Sequence, residues 1–220
     1  MGKTISLQLK DGTRIGAYVA EPAGTPKGGL VVVQEIFGVN PHIRSVADRY
    51  AAAGYLAVAP ALFDPVQPGV ELGYDQEGMQ KGLDYVGKLG FDRALAGVEA
   101  AAQEASRAGR VGVVGYCWGG TVTYLSAIRL ALPGISYYGG RNVQFVGEQA
   151  KAPLMFHYGL KDAHIPEADR EAVRNANPGA EFFVYDADHG FNCDARGSYD
   201  AASAKLAMER SLGFLAKHVG

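Results

Sequence analysis

Cysteine is nearly absent. The 220-residue chain has only Cys117 and Cys193, far apart and outside any Cys-x-x-Cys or Cys/His cluster with zinc-ligand spacing. That removes a disulfide framework from consideration, and neither a structural metal nor an organic cofactor is expected. Excess charge is missing too: 21 Lys and Arg face 23 Asp and Glu, a formal net charge of −2, and the basic residues are scattered. A nucleic-acid partner usually leaves a clustered basic face, so none is expected. Long apolar runs are also lacking. Stretches such as "GGLVVVQEIFGV" fall well short of the roughly 20 residues a membrane helix needs, so no membrane partner is expected. The opening "MGKTISLQLKDGTRIGAYVA" alternates polar and apolar residues without the continuous apolar core of a signal peptide, and a cytoplasmic location is expected.

What remains is the composition of a turn-rich globular protein, 48% hydrophobic and 10% aromatic with 30 glycines, and one domain over residues 1–220 is expected. Residues 4–9 and 14–20 alternate with period two around "KDGT", the pattern of an opening hairpin. "GLVVVQE" is a continuous β-branched run, as a strand covered on both faces requires. After it, Ile43, Val46, Ala47 and Tyr50 recur at helical spacing up to Gly54. "YLAVAPAL", "RVGVVGY", "GISYY", "APLMFHYG" and "AEFFVYD" read as further strands, with helices over 119–131, 166–175 and 200–217. This alternation predicts an α/β fold: a mostly parallel central sheet with helices on both faces and an N-terminal antiparallel hairpin. Between Pro65 and Gly90 the many glycines and prolines predict an irregular excursion without a long helix, forming one wall of a ligand crevice.

"GYCWGG" puts Cys117 where a buried strand should turn into a helix. Such a turn lifts its central residue out of the sheet, and the N–H groups opening the helix favour a thiolate and a nearby oxyanion. On its own the segment reads equally well as a buried small residue in a tight turn. A nucleophile also needs a base and an orienting acid, in the order nucleophile, acid, histidine. Asp162, just past "APLMFHYG", and His189, just past "AEFFVYD", supply both at the sheet edge that carries Cys117.

Each has rivals. Asp186 and Asp188 adjoin His189, but a carboxylate so near in sequence points away from the ring. His157 reads as a core histidine, His164 shares a loop with Asp162, His42 begins a helix and His218 ends the chain. Glu35, at the end of a buried strand, needs a donor or a cation. It either faces the Cys117 thiol or pairs with a structural cation such as Arg44. The amides of Ile36 and Trp118 are the natural oxyanion donors.

Taken in order, "QEIFGVN", "GYCWGG", "SYYGG", "GLKDAHIP" and "DADHGF" resemble the dienelactone hydrolase (carboxymethylenebutenolidase) family of the α/β-hydrolase fold, over essentially the whole chain. The resemblance implies a Cys117–His189–Asp162 triad with Glu35 restraining the resting thiol. It also implies an oxyanion hole at Ile36 and Trp118, and opening of a small lactone or enol ester through an acyl-cysteine. Substrate contacts would fall to Lys81, Tyr85, Tyr137 and Cys193. Lys81 and Cys193 stand where family members acting on dienelactone carry arginines, so the bidentate fork is lost at both. Arg196 is close enough in sequence to Cys193 to substitute for the lost cation, but reads more readily as a solvated surface residue. A monomer is expected. The competing readings are a thiol redox sensor in which Cys193 resolves an oxidised Cys117, and a non-catalytic binding module.

Overall fold

The computed structural model describes residues 2–220. Eight strands, β1 (Lys3–Gln8), β2 (Arg14–Ala20), β3 (Gly29–Val33), β4 (Leu56–Pro60), β5 (Val111–Tyr116), β6 (Gly134–Tyr137), β7 (Leu154–Gly159) and β8 (Glu181–Tyr185), form one sheet. Its order is β1-β2-β4-β3-β5-β6-β7-β8. The expected hairpin is present, with Lys3 opposite Val19 and Gln8 opposite Arg14. β2 joins β4 antiparallel, and every pairing from β4 to β8 is parallel. All five residues of β3 are buried, which explains its unbroken apolar run: no position on it faces water.

Five helices cover the sheet: α1 (Pro41–Ala52), α2 (Gln76–Ala105), α3 (Trp118–Arg129), α4 (Glu167–Ala176) and α5 (Ala201–His218). Strand alternation shows the two faces at β6. Ser136 packs beside Gly120 of α3, while the next residue, Tyr137, bonds Ser211 of α5 at 2.8 Å. In α1 the positions read as apolar, Ile43, Val46, Ala47 and Tyr50, are buried, together with His42 and Ala51. Asn40 caps that helix, accepting from the Ile43 amide at 3.1 Å, and Pro41 supplies the preset first turn.

The expectation for 65–90 holds only in part. Residues 61–75 are irregular, but α2 begins at Gln76 and runs through Gly78, Gly82 and Gly87 before Gly90 (φ 73°) breaks it. Gly82 is not a helix breaker but a contact point. A Cβ there would lie 2.2 Å from the Ile36 carbonyl oxygen, so its absence lets α2 rest directly on the loop after β3. The excursion does form a wall of the crevice, through Met79, Leu83 and Val86. No helix among the described residues is long and apolar enough to cross a membrane.

Candidate active site

Glu35, Cys117, Tyr138, Asp162 and His189 follow β3, β5, β6, β7 and β8, so the parallel strands deliver them to one edge of the sheet. Cys117 sits at φ 56°, ψ −122°, in the left-handed half of backbone space that a non-glycine residue enters only under constraint. The constraint is close packing at the elbow. A Cβ on Gly115 would come within 2.1 Å of the Gly119 carbonyl oxygen, and one on Gly119 within 2.3 Å of that of Gln34. The same contact sets the first turn of α3 against the loop carrying Ile36. Among the described residues, no acceptor takes up the Ile36 or the Trp118 amide. Trp118 is fixed by stacking on Phe63, 5.5 Å between ring centroids.

His189 Nδ1 lies 2.7 Å from Asp162 Oδ2, and the Asp162 side chain is fully buried. The other Asp162 oxygen accepts from the His164 amide at 2.9 Å. Neither rival carboxylate takes the ring: Asp188 accepts from the His189 backbone amide, and Asp186 pairs with Lys161. Nδ1 therefore donates to Asp162 and Nε2 is left to face Cys117. Burial pulls the His189 pKa down, but the charge of Cys117 as thiolate, with Asp162, outweighs it and pushes the pKa up to about 10. His157 is a satisfied core residue between the hydroxyls of Tyr185 and Ser211, its pKa lowered to about 3 by burial.

Glu35 is wholly buried and makes no hydrogen bond to Cys117. It accepts from the Tyr74 hydroxyl at 3.0 Å and from Arg196 Nη1 at 3.5 Å. The alternative partner, Arg44, is occupied by Glu71 at 2.7 Å. Arg196 is thus not the solvated residue its sequence context suggested: its side chain is 19% exposed and it lines the cavity over Cys117. Burial works against its charge, yet Glu35 and Cys117 raise its pKa.

The cavity has a volume of about 280 Å³. Ile36, Phe37, Trp118 and the α2 residues Met79, Leu83 and Val86 give it an apolar body; Cys117, His189, His164, Arg141 and Arg196 give it a polar end. Of the expected substrate contacts, none lines it. Lys81 lies on the outer surface of α2, half exposed and paired with Glu77 at 2.6 Å. Tyr85 packs on Phe63, 5.7 Å between centroids. Tyr137 points to the opposite face of the sheet, toward α5, and Cys193 is buried behind Glu35 and Tyr74. The next residue, Tyr138, comes nearer the triad, its ring 5.1 Å from that of His189 and its backbone at φ 39°, but it is fully buried and does not line the cavity. Tyr138 lies just past the end of β6, where its positive φ breaks the strand alternation and its ring stays 6.1 Å from that of Tyr137; "SYYGG" does not say which of the two comes nearer the histidine. Arg141, Met79, Leu83 and Val86 carried no separate signal, and His164, weighed in the sequence only as a rival base, lines the cavity.

A family model described as the dienelactone hydrolase family matches residues 15–219. A carboxymethylenebutenolidase of Pseudomonas putida is 35% identical, over 96% of this chain and 95% of that one. That of Pseudomonas knackmussii matches to the same extent. A Klebsiella pneumoniae structure assigned as a dienelactone hydrolase superposes with a TM-score of 0.85 at 33% identity, covering 99% of this chain and all of that one. The Pyrococcus furiosus esterase Pf2001 shares the α/β-hydrolase fold alone, at a TM-score of 0.71 and 13% identity over all of this chain and 93% of that one.

Proposed function

The chain belongs to the dienelactone hydrolase family and is a hydrolase of lactones or esters; from that premise we propose that Cys117 is its nucleophile, with His189 as base and Asp162 as orienting acid. The observation that carries the reading is the 2.7 Å His189–Asp162 bond, which leaves Nε2 free beside the thiol at the elbow.

The reaction follows from that geometry. His189 Nε2 takes the thiol proton, and the thiolate attacks the carbonyl carbon of the ester. The carbonyl oxygen becomes an oxyanion, received by the free amides of Ile36 and Trp118. As the carbon–oxygen bond breaks, the imidazolium returns its proton to the leaving oxygen, which in a lactone stays on the same molecule. A water then gives one proton to His189 and attacks the thioester; the carbon–sulfur bond breaks, the acid product loses its remaining proton to solvent, and the imidazolium proton returns to the sulfur, restoring the resting enzyme. Asp162 holds the ring tautomer that makes each transfer possible and offsets the charge of the imidazolium.

Arg196 gives the cavity a cation beside the nucleophile, so an ester bearing a carboxylate is the favoured substrate class. Such an anion competes with Glu35 for the guanidinium, coupling substrate binding to the state of the carboxylate behind Cys117. In that coupling lies the restraint on the resting thiol assigned to Glu35.

The test is a burst experiment with p-nitrophenyl acetate. Wild-type protein releases one equivalent of nitrophenolate rapidly and carries an acetyl group on Cys117 by mass spectrometry, whereas Cys117→Ala shows neither. Full turnover by the alanine variant rejects the cysteine mechanism.

A further inference from the structure

Behind the cavity, Glu35, His42 and Cys193 form a buried cluster in which one carboxylate oxygen, one imidazole nitrogen and Sγ all lie within 4.8 Å of one another. The three come from separate segments: the loop after β3, the first turn of α1 and the turn after β8. The two nitrogens of His42 have different surroundings. Nδ1 is 3.1 Å from Asp194 Oδ1, and the second oxygen of that carboxylate is 3.8 Å from Arg49. Nδ1 therefore carries the proton it donates to Asp194, and Nε2 keeps its lone pair. Nε2 is fully enclosed and meets no hydrogen-bond partner among the described residues. Leaving such an acceptor unsatisfied in a buried place costs free energy.

We propose that Glu35, His42 Nε2 and Cys193 Sγ form a binding site for a divalent ion of zinc's character. A thiolate, an imidazole and a carboxylate are donors that suit zinc rather than magnesium or calcium, which take oxygen ligands. Three protein ligands leave a fourth position for water. The Asp194–His42 bond is the outer contact that typically orients a ligating ring and fixes its tautomer. Charge also balances: one thiolate and one carboxylate neutralise a doubly charged ion in a buried place. On binding, the Cys193 proton leaves to solvent as the sulfur–metal bond forms. The donors draw together by side-chain rotation, and Arg196 gives up its long contact with Glu35. The site shares Glu35 with the proposed ester chemistry but does not depend on it.

Cobalt(II) titration of the Cys117→Ser variant tests the proposal, because that substitution leaves Cys193 as the only thiol. One equivalent of cobalt should bind with a sulfur-to-metal charge-transfer band and the intense visible bands of a tetrahedral site, and zinc should displace it. Adding Cys193→Ser should abolish the charge-transfer band while circular dichroism stays native. Asp194→Asn, at a half-exposed position that spares the core, should weaken binding about 10–100-fold. Arg196→Gln removes the opposing cation and should tighten it. The absence of a charge-transfer band in Cys117→Ser, or its survival when Cys193→Ser is added, overturns the proposal. So does a band that appears only when Cys117 is present, since it would put the metal on Cys117 and His189.

Discussion

Replacing Asp162 by asparagine changes one charge and almost no volume, so it isolates the electrostatics of the His189 ring. One carboxylate oxygen accepts from the His189 Nδ1 proton at 2.7 Å and the other from the His164 amide at 2.9 Å. An asparagine must keep its oxygen toward the His164 N–H, because its own NH2 there would oppose a second donor. The NH2 then faces Nδ1, which becomes an acceptor, and the ring proton moves to Nε2. A ring protonated on that nitrogen cannot take a proton from Cys117. In a Ser-His-Asp triad the same exchange costs about 10⁴-fold in kcat. A thiol ionises far more readily than a serine hydroxyl, so we expect a smaller loss here, about 10²–10³-fold in acylation rate.

Once its proton has come from Cys117, the His189 imidazolium has a pKa of about 10, held up against the pull of burial by the thiolate and Asp162, and that pKa should fall when the Asp162 charge is removed. Stability should respond in the same sense. A histidine whose folded pKa exceeds the unfolded value of about 6.5 contributes its full stabilisation below that pH. It loses the contribution as pH rises toward about 10, so the urea midpoint of the wild type should decline over that window and that of Asp162→Asn should be flatter. Stopped-flow acylation across both pH limbs, with urea melts at each pH, measures these quantities. Acylation by the variant within about threefold of wild type, with unmoved limbs, refutes the assignment of Asp162.

Other substitutions probe the cavity. Arg196→Gln should cut kcat/KM for carboxylate-bearing esters about 10–100-fold, the equivalent of one charge-assisted hydrogen bond, and leave uncharged esters nearly unaffected. Lys81→Ala should leave the substrate preference unchanged and stability nearly so, since its partner is Glu77 on the exposed surface of α2; a matching panel of charged and neutral esters checks both variants. Gly119→Ala forces a methyl group against the Gln34 backbone and should lower stability by about 1–3 kcal/mol and reduce kcat, read by urea denaturation and steady-state rates. Gly87→Ala meets open space on α2 and should raise stability by about 0.5–1 kcal/mol without altering rates.

The sheet was legible in the sequence because buried parallel strands admit little but β-branched and aromatic residues, as β3 and β7 illustrate. Cys117, Asp162 and His189 were legible for a related reason: each follows a recognisable strand end, and the strands deliver them to one edge. Gly82 misled because glycine is read as a local signal, whereas here it answers a long-range contact with Ile36. Lys81 and Arg196 changed roles because sequence position does not say which way a helix faces or what a turn folds back upon. The Glu35, His42 and Cys193 cluster was out of reach altogether. Ligand-spacing rules search short segments, and this set spans most of the chain.

The delivery of Glu35, Cys117, Asp162 and His189 by separate strands also bears on how the protein acquires its activity. β3 pairs with β4 and β5, and β5 lies beyond the whole of α2, so the central sheet closes through contacts distant in sequence. Such closures are slow, because loop entropy is lost before the contacts compensate. His189 follows β8, at the sheet edge farthest from the hairpin, and cannot meet Asp162 until β7 and β8 have paired. During refolding, helix content should return first and esterase activity last. The lag between them is the time the sheet takes to close.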